Sequence, residues 1–67
     1  MAAFVYVVEV ALASHDSLKA GVVELERRKY ALLAESDVAA VVGATHWAHT
    51  SSGLIPTDAL LVDFPTD

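Results

Sequence analysis

Twelve residues near the start of the chain, Ala2 to Ala13, carry one charge, Glu9, and are otherwise apolar. Half of them are β-branched or aromatic, as a pleated surface favours, so the spacing predicts a strand over 2–13. Phe4, Tyr6, Val8, Val10 and Leu12 fall on one face of it, and Val5, Val7, Glu9 and Ala11 on the other. A strand that is apolar on both faces is expected at the centre of a sheet, covered on two sides. A short globule has one helix-covered side to offer, so the second cover is expected from a partner.

Length sharpens that expectation. Sixty-seven residues make one domain at most. A domain of this size buries only about 60% of its unfolded surface. Small chains compensate with disulfides, a metal or oligomerisation. There is no cysteine, which excludes disulfides and leaves only His and carboxylates as metal ligands. Oligomerisation remains. At 55% hydrophobic and 19% charged, the chain is more apolar than an average soluble domain. The surplus is expected to face a partner, another copy or a membrane.

A membrane-spanning role is not expected, because a spanning helix needs roughly 18 or more apolar residues and Glu9 stops the opening run. Ala11-Leu12-Ala13 imitates a signal-peptide cleavage site, but no basic segment precedes it. A cytoplasmic or particle-associated location follows as the expectation.

The net charge of −5 is unevenly spread. The four bases, Lys19, Arg27, Arg28 and Lys29, are balanced by Glu9, Asp16, Glu24 and Glu26, while the stretch from Glu35 to Asp67 holds five acids and no base. Such a surface repels phosphate backbones, so no nucleic-acid partner is expected. The acidic half suits a basic protein surface, or simply solvent. The chain also lacks Asn and Gln, which removes the Asn-Gly hairpin signal.

Ser14-His15-Asp16-Ser17 reads as a helix cap. Leu18, Val22, Leu25, Leu32 and Leu33 then form a stripe at helical spacing, with Glu24 and Arg28 four apart on the far side. These predict a long amphipathic helix over 15–35. Lys29 falls inside the stripe, where its stem packs and its amine reaches solvent. Ser36-Asp37 predicts a short helix over 36–42 ending near Gly43, with a strand nearly as compatible because valines are ambiguous in short windows. Strands are expected over 44–50 and 59–64, the last closed by Pro65. The expected fold is a small two-layer α+β domain, about three strands on one long helix in the order β-α-(short α)-β-β, with sheet edges completed by a partner.

Few residues suggest chemistry. His46 and His49 are the nearest approach to a metal pair, but on a strand they face opposite ways, and zinc wants a third ligand such as Asp58 or Asp63. Ser14, His15, Asp16 and Ser17 have the residue types of a hydrolytic triad, yet capping accounts for each. Glu9, alone in an apolar strand, suits a general base, a partner for Lys29, or a subunit boundary. No glycine fits a phosphate loop, and no cofactor is expected. Tyr6, Val23, Tyr30 and Trp47 are expected as interface anchors.

Three functions are compatible with this pattern. The first is a non-enzymatic assembly subunit, self-associating or docked on a larger complex or particle such as a virion. The second is a small dimeric enzyme or ligand binder of ferredoxin-like type using Glu9, His46 and His49. The third is an acidic inhibitor or antitoxin.

Overall fold

A computed structural model describes residues 2–65 of the chain. Strand β1, Phe4–Ala13, leads to a short helix α1, His15–Lys19, then to strand β2, Glu26–Ala34, helix α2, Asp37–Ser52, and strand β3, Ile55–Asp63. The three strands form one antiparallel sheet in the order β2-β1-β3, with both outer edges unpaired among the described residues. This is a small α+β domain with an open sheet. The opening strand is central, as its apolar character requires.

Several element boundaries differ from expectation, each for a physical reason. The helix expected over 15–35 stops at Lys19, and the chain turns through Gly21, whose φ of +84° is left-handed. Ser14 and Ser17 cap the short helix reciprocally, side chain to backbone N–H in both directions. Beyond it the segment pairs with β1 over nine positions, from Phe4 with Ala34 to Leu12 with Glu26. Long-range pairing overrides the local helical period. Lys29, the misfit in the helical stripe, is an exposed strand residue opposite Glu9.

The short helix expected over 36–42 and the strand over 44–50 are instead one 16-residue helix. Ser36 caps it by accepting from the Ala39 N–H, and Gly53, at φ +72°, ends it. Gly43 does not stop the helix but sits inside it, where a Cβ would lie 3.0 Å from the Leu32 side chain. Helix and sheet approach closely at this point. Ala40, Ala44 and Ala48, four residues apart along α2, are fully buried and form an alanine ridge against the sheet.

The last strand begins at Ile55, earlier than the expected 59, leaving a connection of Gly53 and Leu54. Pro56 is tolerated because β3 is an edge strand. The core lies between the alanine ridge and the face of β1 bearing Tyr6, Val8, Val10 and Leu12, joined by Tyr30 and Ala34 of β2. The sheet is thus covered on one side by α2. Two-sided cover, expected from the β1 sequence, is absent over most of the other face of the described structure.

Candidate functional site

On that other face, register brings together Leu33 and Val5, then Ala31, Val7 and Asp63, then Lys29, Glu9 and Leu60, then Arg27, Ala11 and Asp58. Directly paired residues share a face, so these four rows form one surface. Three of its apolar members are open to solvent, Leu33 at 68% exposed, Val5 at 62% and Leu60 at 56%, while Val7 is half-buried. Only the Ala11 end is covered. There the Thr57 hydroxyl donates to the Val23 carbonyl of the loop before β2, and Ala11 is buried. The total accessible surface, 4377 Å², is close to the ~4100 Å² expected of a compact monomer of this mass. What marks the molecule is the apolar make-up of that surface: exposed large apolar side chains stand on this sheet face and also on α2 (Val38, Val42, Trp47) and in the loop before β2 (Val22, Val23, Leu25).

The charges on this face are ordered. Arg27 Nη1 donates to Glu9 Oε1 at 3.0 Å, and its Nη2 donates to Glu24. Glu9, considered for Lys29, pairs with Arg27 instead, and this engages its carboxylate. The Arg27 hydrogen bond holds the Glu24 carboxyl below the usual carboxylate range, and the two glutamates hold the guanidinium above its own. Arg28 bonds Glu26 on the opposite face. Lys29 makes no ion pair among the described residues. Cations therefore lie along β2 and the anions Asp58 and Asp63 along β3.

The helix side carries a second feature. Because 44–50 is helical, His46 and His49 lie three residues apart on one face, and together they line an open groove of about 460 Å³ with Val41, Val42, Thr45, Ile55 and Pro56. His49 Nδ1 lies 2.8 Å from the Leu54 carbonyl. A carbonyl only accepts, so Nδ1 carries the proton there, and in the neutral ring Nε2 is left as an acceptor. Two imidazoles are too few for a structural zinc site, and no group of three or more His, Asp or Glu side chains suited to a metal occurs among the described residues. Glu9 lies on the sheet face that α2 does not cover, so the trio of Glu9, His46 and His49 is not brought to one site.

Tyr6 and Tyr30 are buried. Burial raises the Tyr6 phenol above its ordinary value, and the nearby Asp37 carboxylate adds to the effect. Tyr30 packs on Trp47 with ring centroids 4.8 Å apart, and its hydroxyl lies 3.4 Å from that of Ser51. Trp47 and Val23 keep 46% and 61% of their surface exposed. Sequence reasoning placed Val5 on the second apolar face of β1 but missed Leu33 and Leu60 as its neighbours there. The i, i+2 spacing of Arg27, Lys29, Ala31 and Leu33 was the available signal, and the helical spacing of Leu32 and Leu33 with Leu18 and Leu25 masked it.

The fold and this surface define the class, a small two-layer α+β protein with one sheet face uncovered. Comparison with protein-family models, curated proteins and solved structures finds no match to this chain. No helix among the described residues is long and apolar enough to cross a membrane.

Proposed function

We propose that the chain is a non-enzymatic assembly subunit that docks through the uncovered face of its sheet onto another protein surface. One observation carries the reading: Val5, Leu33 and Leu60 stand exposed on a contiguous face whose reverse side is the core. Contiguous exposed apolar surface with charged residues around it marks interaction sites. Several charged groups support the reading further, because they are engaged in local pairs or caps: Arg27 with Glu9 and Glu24, Arg28 with Glu26, Asp58 with the Ala59 N–H. A virion or other particle is one setting in which such a subunit works.

The test is the size of the native species containing the chain in an extract of its source cells. The wild-type chain is expected in a species well above its own 7.1 kDa, and a Leu33→Lys/Leu60→Lys variant is expected at the monomer position with unchanged circular dichroism. A wild-type chain found only as a monomer would contradict the proposal.

A second reading has its own observation. The groove between α2 and the start of β3 is mostly apolar, with His46 and His49 at its rim, the general form of a small-ligand site. Under this reading a His46→Ala/His49→Ala variant loses ligand binding and keeps its assembly state.

A further inference from the structure

We propose that the occupant of the uncovered face is a second copy of this chain, stacked sheet on sheet about a two-fold axis that runs parallel to the strands. This deepens the assembly reading and rests on it. The argument is the placement of charge on the face. The two outer strands carry opposite signs: Arg27 and Lys29 lie on β2, and Asp58 and Asp63 on β3, with Val5, Val7 and Glu9 on β1 between them.

Two ways of stacking identical faces by a two-fold axis in the sheet plane are available, and they differ in charge. An axis across the strands lays β2 on β2 and β3 on β3 with the rows reversed, which keeps the cationic strand over the cationic strand and brings no β2 cation to a β3 carboxylate. An axis along the strands lays β2 on the partner's β3. Row for row, on the part of the face that is open, Lys29 then stands over the partner's Leu60 with the partner's Asp58 and the partner's Asp63 on its diagonals, while Arg27, in the covered Ala11 row, keeps Glu9 and Glu24. Like charges brought together across an interface cost several kcal/mol, so the second arrangement wins. It is also isologous, which lets it close as a dimer instead of growing into a filament.

The apolar rows fit the same arrangement. Val5 and Val7 lie near the axis and meet their own counterparts, while Leu33 and Leu60 flank them, giving an apolar centre with charges around it. Aligned packing of two sheets about 10 Å apart, with strand directions within about 30°, is the ordinary sandwich geometry. Glu9 lies opposite its own counterpart, and the 3.0 Å bond from Arg27 draws each carboxylate toward β2, away from the axis. Lys29, with no ion pair of its own among the described residues, gains two carboxylates.

The experiment is sedimentation equilibrium of the purified full-length chain over a dilution series, on wild type, Lys29→Glu, Asp63→Lys and the double reversal, with circular dichroism on each. The wild type is expected at twice the 7.1 kDa chain mass. Each single reversal is expected to weaken dimerisation by about tenfold or more, and the double reversal to recover most of the loss, because the pair couples across the interface. Leu33→Glu, exposed in the monomer, is expected to abolish the dimer with the fold intact. Single reversals that weaken association without recovery in the double variant would overturn the axis. A wild type that is monomeric when purified but part of a larger species in cell extract would overturn the second copy and leave the assembly reading standing. A monomer in both settings would end both.

Discussion

The two faces of one strand, β1, behave as different materials. Val8, Val10 and Leu12 are fully buried beneath the alanine ridge of α2, whereas Val5, on the alternate face of the same strand, is 62% exposed. The residue types are nearly the same, so intrinsic propensity does not separate the faces. What separates them is that the chain has one long helix to spend as cover. The lesson is that an apolar strand in a short chain reports how much cover it needs, not whether its own chain supplies it.

The sharpest way to break this contrast is to truncate a leucine on each face. Leu12→Ala is expected to cost about 2–5 kcal/mol, a large part of the roughly 3–10 kcal/mol that a chain of this length holds. Leu33→Ala, measured by urea unfolding at concentrations too low for association, is expected to change folding by less than about 0.5 kcal/mol. Equal losses at the two positions would erase the distinction.

The contact of helix and sheet gives the next effect. Gly43→Ile is expected to cost about 1–3 kcal/mol by wedging α2 away from Leu32. In Gly43→Ala, the gain in helix propensity of about 1 kcal/mol opposes the tight contact, so thermal unfolding of the pair separates packing from propensity.

On the uncovered face the polar effects are smaller. Glu9→Gln is expected to cost less than about 1 kcal/mol in the monomer, because the pair is partly solvated and Arg27 retains Glu24. The difference is expected to fade when salt is raised to 1 M. Mildest is a limit at high pH on the covered face. Burial, with Asp37, raises the Tyr6 phenol, so the unfolded chain releases its proton first as pH passes 10.0. Stability is therefore complete below that pH and declines above it until the folded phenol also ionises, and a Tyr6→Phe variant is expected to lose this part of the decline.

Much of the fold class was legible in the sequence, because β1 has no competing period: its branched and aromatic residues allow a strand and little else. Its core face, Tyr6, Val8, Val10 and Leu12, followed from alternation alone. The segment from 15 to 35 was misread because Leu18, Val22, Leu25 and Leu32 satisfy a helical period, while from Glu26 onward the chain also suits strand pairing, and only the β1 register decides. The segment after Ser36 failed for another reason. Val38, Val42 and Trp47 are exposed on α2 while its buried ridge is alanine, so the helix has no apolar stripe to detect. With 44–50 read as a strand, the two histidines were assigned to opposite faces. The uncovered face was foreseen as a need for a partner from β1, but its β2 and β3 members depended on a register that local sequence does not contain.

The central claim is that the Val5, Leu33 and Leu60 face is covered when the protein is in its associated state. The direct measurement is methyl relaxation of the purified chain with a soluble paramagnetic agent, at high and at low protein concentration. At high concentration these methyls are expected to be shielded nearly as well as those of Val8 and Leu12, and to lose that shielding on dilution while Val8 and Leu12 keep theirs. Methyls of Val5, Leu33 and Leu60 that relax as freely exposed groups at every concentration would contradict it.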